Sequence, residues 1–247
     1  MKTKLFILLV ALSFSAAASA QEAKTMYVMK SGSVIYQSSV ADIDSIIYKP
    51  YDPLSDEGVI INGVKWATRN VAAPGTFADN PEDAGMFYQW NSRVGWSATD
   101  PRVNSNGSTS WNSSTPSGTS WAPANDPSPA GWRVPTLAEI ETLLDGNKVS
   151  QEWTTVNGVS GGRFTDKTSG NSIFLPAAGE RYYVDGTLRS VGVHGAYGEY
   201  WSSTQNGSLE AYYFLGFFSG SADVDSFWNW NWNYKSFGLS VRPVAEN

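Results

Sequence analysis

The sequence predicts an α+β domain with a largely antiparallel sheet. Three observations carry that expectation. Aromatic and β-branched residues gather in short runs in the C-terminal third, at residues 198–204, 211–218, 222–234 and 237–244, the composition that strands favour. Only residues 136–145 have a clear helical period. Turn residues, Asn206-Gly207 among them, separate the runs closely enough for hairpins. Strands and helix do not alternate, which favours α+β over a parallel α/β sheet.

Element by element, the chain opens with Lys2 and Lys4, an apolar run at residues 5–12, and small residues ending Ala18-Ser19-Ala20 before Gln21. That is the pattern of a signal peptide over residues 1–20, cleaved near Ala20. The apolar run is too short to span a bilayer. Residues 21–53 read as a β-hairpin segment and linker. Residues 26–30 and 34–36 flank the turn Ser31-Gly32, residues 40–48 form a turn and third strand, and Pro50-Tyr51-Asp52-Pro53 begins the linker.

The main domain is expected over residues 54–247. Residues 59–67 are strand-like and broken by the turn Asn62-Gly63. Asn80-Pro81-Glu82-Asp83 has the composition of a helix start, and residues 85–90 read as an aromatic strand. Residues 97–130 form a long polar excursion, ordered by Trp111 and Trp121. Thr136 and Glu139 make a capping box. Leu137, Ile140, Leu143 and Leu144 share one face of the helix, and Gly146 is placed to end it in a left-handed conformation.

Composition narrows the function classes. The net charge is −6, and loss of a leader carrying two lysines and no acid takes it to −8. With no long basic run, neither nucleic acid nor membrane insertion is expected. The chain has no cysteine and one histidine, His194. Thiol nucleophiles, cysteine–zinc sites and His-rich metal sites are therefore excluded.

Six blocks then form a recognisable series: Val64-Lys65-Trp66-Ala67-Thr68-Arg69-Asn70-Val71; Tyr88-Gln89-Trp90; residues 125–136, which include Gly131-Trp132-Arg133-Val134-Pro135-Thr136; Leu175-Pro176-Ala177-Ala178-Gly179; Tyr200-Trp201-Ser202-Ser203-Thr204; and Phe237-Gly238-Leu239-Ser240-Val241-Arg242-Pro243-Val244. Together they resemble the Fibrobacter succinogenes major paralogous domain. The resemblance implies a C-type lectin-like fold, distantly similar to formylglycine-generating enzymes. Those enzymes work through cysteines, so their activity is not expected here. Relatives often carry cysteine where this chain has Ser128 and Pro243, and sometimes where it has Arg69. Residues 41–48 resemble a leader hairpin common in secreted Bacteroidetes proteins, which implies a secreted, cell-surface or periplasmic protein of a Gram-negative bacterium.

The candidate site is an aromatic row. In a strand over residues 227–234, Trp228, Trp230 and Trp232 would face one side with Tyr234, and Asn229, Asn231 and Asn233 the other. Indole faces suit sugars and aromatic side chains, and amides supply fixed donors and acceptors. A Trp face packed in the core is the competing reading. Trp66, Trp90, Trp132, Trp201 and Arg133 are expected to be framework. Arg133 and Arg242, if buried, need carboxylate or carbonyl partners.

The acids Asp79, Glu82 and Asp83, and Asp223 with Asp225, read as solvated surface, and the calcium-dependent lectin signatures Glu-Pro-Asn, Gln-Pro-Asp and Trp-Asn-Asp are absent. Neither a metal nor a cofactor is expected, and no catalytic residue is assigned. The function expected is a non-catalytic, adhesin-like module that binds a glycan or a host or neighbour-cell protein. The alternatives are a structural or fimbrial-tip component and, third, a carboxylate-based glycan-active enzyme using a pair such as Glu180 and Glu199.

Overall fold

The computed structural model describes residues 25–30, 33–39, 52–189, 191–192, 195–205, 212–218, 226–230 and 234–246. The chain divides into two compact units, Met1–Pro50 and Tyr51–Asn247. In the first, β1 (Thr25–Lys30) and β2 (Ser33–Ser39) pair antiparallel, with a register shift between Val28 and Met29. The hairpin expected from the sequence is present. The leader at 1–20 and the third strand expected at 40–48 lie outside the described residues.

The second unit begins with β3 (Val59–Ile61) and β4 (Val64–Trp66). Asn62 and Gly63 join them at φ 45° and 83°, the left-handed pair that a two-residue hairpin turn requires. Next come β5 (Met86–Tyr88), β6 (Gly95–Ser97), β7 (Trp132–Arg133) and α1 (Leu137–Leu144). A meander follows: β8 (Val149–Val156), β9 (Val159–Asp166) and β10 (Ser172–Pro176). The C-terminal third holds β11 (Glu180–Arg181), β12 (Leu188–Arg189), β13 (Val191–Gly192), β14 (Gly195–Gln205), β15 (Tyr212–Phe218), β16 (Ser226–Trp230) and β17 (Val244–Ala245).

Strand pairing within these sheets is antiparallel throughout, and α1 is the α-helix among the described residues. The class is therefore α+β, as the sequence predicts. The larger sheets run β13-β14-β15-β16, β3-β4-β17-β7 and β10-β9-β8. The meander was not expected from the sequence.

Packing explains this arrangement. Ile140 and Leu143 on α1 lie against Trp66, Phe164, Leu175 and Tyr200 in one apolar cluster. A second cluster joins Val71, Tyr88, Trp90, Trp121, Val134, Trp201 and Leu239. Each such side chain contributes about 1.5–3 kcal/mol by leaving water. The framework expectation holds for the tryptophans: Trp66, Trp90 and Trp201 are at most 1% exposed and Trp132 is 9%.

Three local expectations are corrected. Residues 80–83 form a turn, in which Asp83 Oδ2 accepts from the Asn80 backbone N–H. No helix follows, because Gly85 is left-handed at φ 70° and lies so close to Val71 that a Cβ would meet its carbonyl oxygen at 2.2 Å. Gly146 is not among the left-handed glycines; α1 ends at Asp145, which is extended, and Asp145 Oδ1 accepts from Asn147 N–H. Residues 237–244 are not one strand: single bridges tie Gly238 to Arg181, Leu239 to Tyr88 and Ser240 to Tyr200 before β17 begins.

Candidate binding terrace

The hairpin of β11 and β12 sets Glu180 opposite Arg189. Its turn, residues 182–187, is fixed from beneath. Arg181 is fully buried, and its guanidinium donates to Ser97 O (3.0 Å), Thr99 O (2.6 Å), Gly186 O (2.9 Å) and Asp100 Oδ1 (2.9 Å). Trp111 Nε1 donates to Tyr183 O at 3.0 Å. Gly186, at φ 70°, lets the chain pass the Trp111 ring, which a Cβ would meet at 2.6 Å.

That footing holds a group of aromatic rings. Tyr183 lies 4.6 Å from both Tyr182 and Tyr234, and 4.9 Å from Phe237. Tyr182 meets Phe237 edge-on at 5.7 Å. Val184 and Tyr234 are exposed beside them, at 51% and 38%. The Arg189 guanidinium sits 3.3 Å from the centroid of the Tyr182 ring, where the negative face of the ring attracts it.

Beside the terrace lies a carboxyl pair. A parallel bridge between Gly179 and Gly198 brings the next residues, Glu180 and Glu199, together. Glu180 is buried, and Glu199 Oε2 is sealed from water with no N–H or O–H donor reaching it among the described residues. Burial, then the Glu180 charge, holds the Glu199 carboxyl well above the usual carboxylate range. Burial raises Glu180 as well, against the opposing pull of the Glu199 hydrogen bond and of Arg189. Tyr197, raised by burial and by both acids, donates its hydroxyl to Arg189 O at 2.9 Å.

The arrangement is chemically suited to holding a ligand by stacking and by the guanidinium, with the acid pair as support.

The aromatic row meets this site at one end. β16 pairs Trp228 with Gly216, Asn229 with Leu215 and Trp230 with Phe214, so the strand expected there exists over Ser226–Trp230. The side chains of Trp228, Asn229 and Trp230 are outside what the structure describes, as are Asn231, Trp232 and Asn233 altogether, His194, Asp223, Asp225 and the turn Asn206-Gly207. Tyr234, the row's last aromatic, lies in the terrace. Glu180 and Glu199, named from the sequence as an example of a pair, do converge. Tyr182, Tyr183 and Arg189 were missed; the signal available was an adjacent tyrosine pair followed by the turn residues Asp185-Gly186.

Of the acids read as surface, Asp79 is exposed and Glu82 and Asp83 are partly exposed. Glu82 Oε1 accepts from Asn157 Nδ2 at 2.6 Å. Among the described residues, no three His, Asp or Glu side chains group as metal ligands, and no helix is long and apolar enough to cross a membrane.

A family model described as a domain of unknown function (DUF8237) matches residues 147–244. The match takes in the meander, the carboxyl pair and the terrace tyrosines. No curated protein and no solved structure matches the chain.

Proposed function

We propose that this chain is an exported, non-catalytic recognition module of C-type lectin-like architecture that binds a glycan outside the cell, on a host or neighbouring cell. The terrace carries the reading: Tyr183 and Tyr234 are layered 4.6 Å apart and inclined by 35°, and the outer ring, Tyr234, is 38% exposed. Sugar rings stack on such faces through their apolar C–H edges. The fold part of the proposal rests on the six sequence blocks and on the antiparallel sheets with their single described helix. Trp228, Asn229, Trp230, Asn231, Trp232 and Asn233 extend the proposed site along the chain from Tyr234.

The test is a glycan array followed by titration, with a host-protein panel beside it. Tyr183→Ala and Tyr234→Ala are expected to weaken glycan binding at least tenfold, about 1.4 kcal/mol, with the fold unchanged by circular dichroism. Trp230→Ala and Asn231→Ala test the extension. Binding that ignores all four substitutions would place the site elsewhere.

A structural or fimbrial-tip role is the second reading, favoured by the β1–β2 hairpin belonging to a compact unit of its own, Met1–Pro50. A protein lacking residues 21–50 separates the two: loss of assembly with glycan binding retained would support it.

A further inference from the structure

We infer that the terrace selects a carboxylated sugar, such as a uronic acid, and that Arg189 is the residue that selects it. This inference rests on the glycan-binding reading above and names the ligand class for the same site.

Three observations meet at Arg189. Its guanidinium carbon lies 3.3 Å from the Tyr182 ring centroid, so the ring holds the head of the side chain in place. Its side chain is 46% exposed, so a ligand can reach it. Its donors are not committed: among the described residues, the sole acid in ion-pair range is Glu180, with Oε1 3.9 Å from Nη1, beyond hydrogen-bond distance. Arg163 also has only a long ion pair, 4.0 Å to Glu152, but among the described residues no aromatic ring is shown against it; three other arginines contrast with Arg189. Arg181 and Arg242 distribute their donors over carbonyl and side-chain acceptors, and Arg133 makes a bidentate pair with Glu139.

A planar guanidinium held by an aromatic face and left with free donors is matched by a planar carboxylate, which takes two parallel N–H···O bonds. Tyr182 carries Arg189 on its face, Tyr183 lies against Tyr182 and Tyr234 against Tyr183, so the same ligand would lay its ring on the tyrosines and its carboxylate on Arg189. The acids close by do not oppose this as their number suggests. Burial holds Glu199 toward its neutral form, and the Glu180 carboxylate already has Arg189 3.9 Å away as its counter-charge. Asp185 turns its Oδ1 to the backbone N–H of Thr187.

The experiment uses pairs of oligosaccharides that differ only in their terminal sugar, glucuronate or glucose, titrated against the purified protein in low and high salt. The acid form is expected to bind roughly tenfold tighter at low ionic strength, with the gap narrowing as salt rises. Arg189→Gln is expected to bring the acid down to the neutral sugar's affinity without lowering the latter. Arg189→Lys, a point charge without the fork, should restore only part of the preference. Equal binding of both sugars by the natural protein, or a preference that survives Arg189→Gln, overturns this inference while leaving the glycan reading standing. Failure of every oligosaccharide to bind overturns both.

Discussion

Arg242 is fully buried, yet among the described residues no carboxylate hydrogen-bonds it; it donates to Asn70 Oδ1 (2.8 Å) and to the carbonyls of Ala67 (3.2 Å), Pro81 (3.3 Å) and Phe174 (3.1 Å). Burial lowers its pKa to about 10, so the charge persists at neutral pH. The same burial logic runs the other way at Glu199, whose proton is held tightly in the folded state. Because its folded pKa is raised, the folded protein binds that proton more strongly than the unfolded chain. The associated stability is complete below pH 4.5, the ordinary glutamate value, and is lost as pH rises toward the folded value. Glu199→Gln keeps a donor facing Glu180 and removes the loss. Calorimetry should show a higher Tm for the variant at about pH 8, by about 2–4 °C per kcal/mol recovered, and convergence near pH 4. A natural protein that gains stability from pH 5 to 8 relative to the variant would contradict the raised Glu199 pKa. Sequence alone foresaw that Arg133 and Arg242 need acceptors, because a buried guanidinium always does. It could not foresee the carboxyl pair: Glu180 and Glu199 are 19 positions apart, and their contact depends on a bridge between two glycines without side chains to announce it.

Helix α1 shows what local chemistry determines. Thr136 Oγ1 accepts from Glu139 N–H at 3.3 Å, and Glu139 Oε2 accepts from Thr136 N–H at 2.7 Å, so two donors that the helix start leaves free are both satisfied. Glu139 also receives the Arg133 fork at 2.8 and 2.5 Å, which ties the helix to β7. Thr136→Ala should cost about 1 kcal/mol in urea unfolding. Glu139→Ala should cost more, since it also leaves a half-buried guanidinium unpaired. The Asn62-Gly63 hairpin was equally legible, because its turn geometry is a property of two residues. The meander was not. β8 buries only Val149 fully, and β9 carries Gly161 and Gly162 at its centre, so neither shows clean alternation. Gly161 is there because the neighbouring strand passes so near that a Cβ would meet the Leu175 carbonyl oxygen at 2.2 Å, a reason found in the partner strand rather than in the segment itself.

Across the molecule, stability is concentrated where distant segments cross. Trp201 is fully buried and donates from Nε1 to Tyr88 O at 2.6 Å, while Trp90 Nε1 donates to Ser202 O at 3.0 Å. β5, β14 and the segment around Leu239 are closed on one another by these bonds and by bridges at Tyr88 and Tyr200. Trp201→Ala should therefore destabilise by about 3–5 kcal/mol, read as a lower denaturant midpoint with an unchanged slope. The aromatic framework was visible in the sequence as residue types; the closure was not, since each bond spans more than 100 positions. The terrace belongs to this scale as well. Its rings come from residues 182–183, 234 and 237, and a footing from Trp111 beneath them, so no single window of sequence contains it.

That footing has a consequence for how the protein meets proteases. Residues 105–110, 112–115 and 117–120 are exposed, whereas Trp111 is held at Tyr183 and Trp121 is buried against Trp90. Cleavage of exposed loop segments is favoured, so trypsin-independent enzymes such as subtilisin should cut between the two tryptophans first. Both flanks of the cut remain pinned. The nicked protein is expected to elute as one species on gel filtration and to separate into two bands only in detergent, which would let it endure in a protease-rich surrounding with its chain already broken.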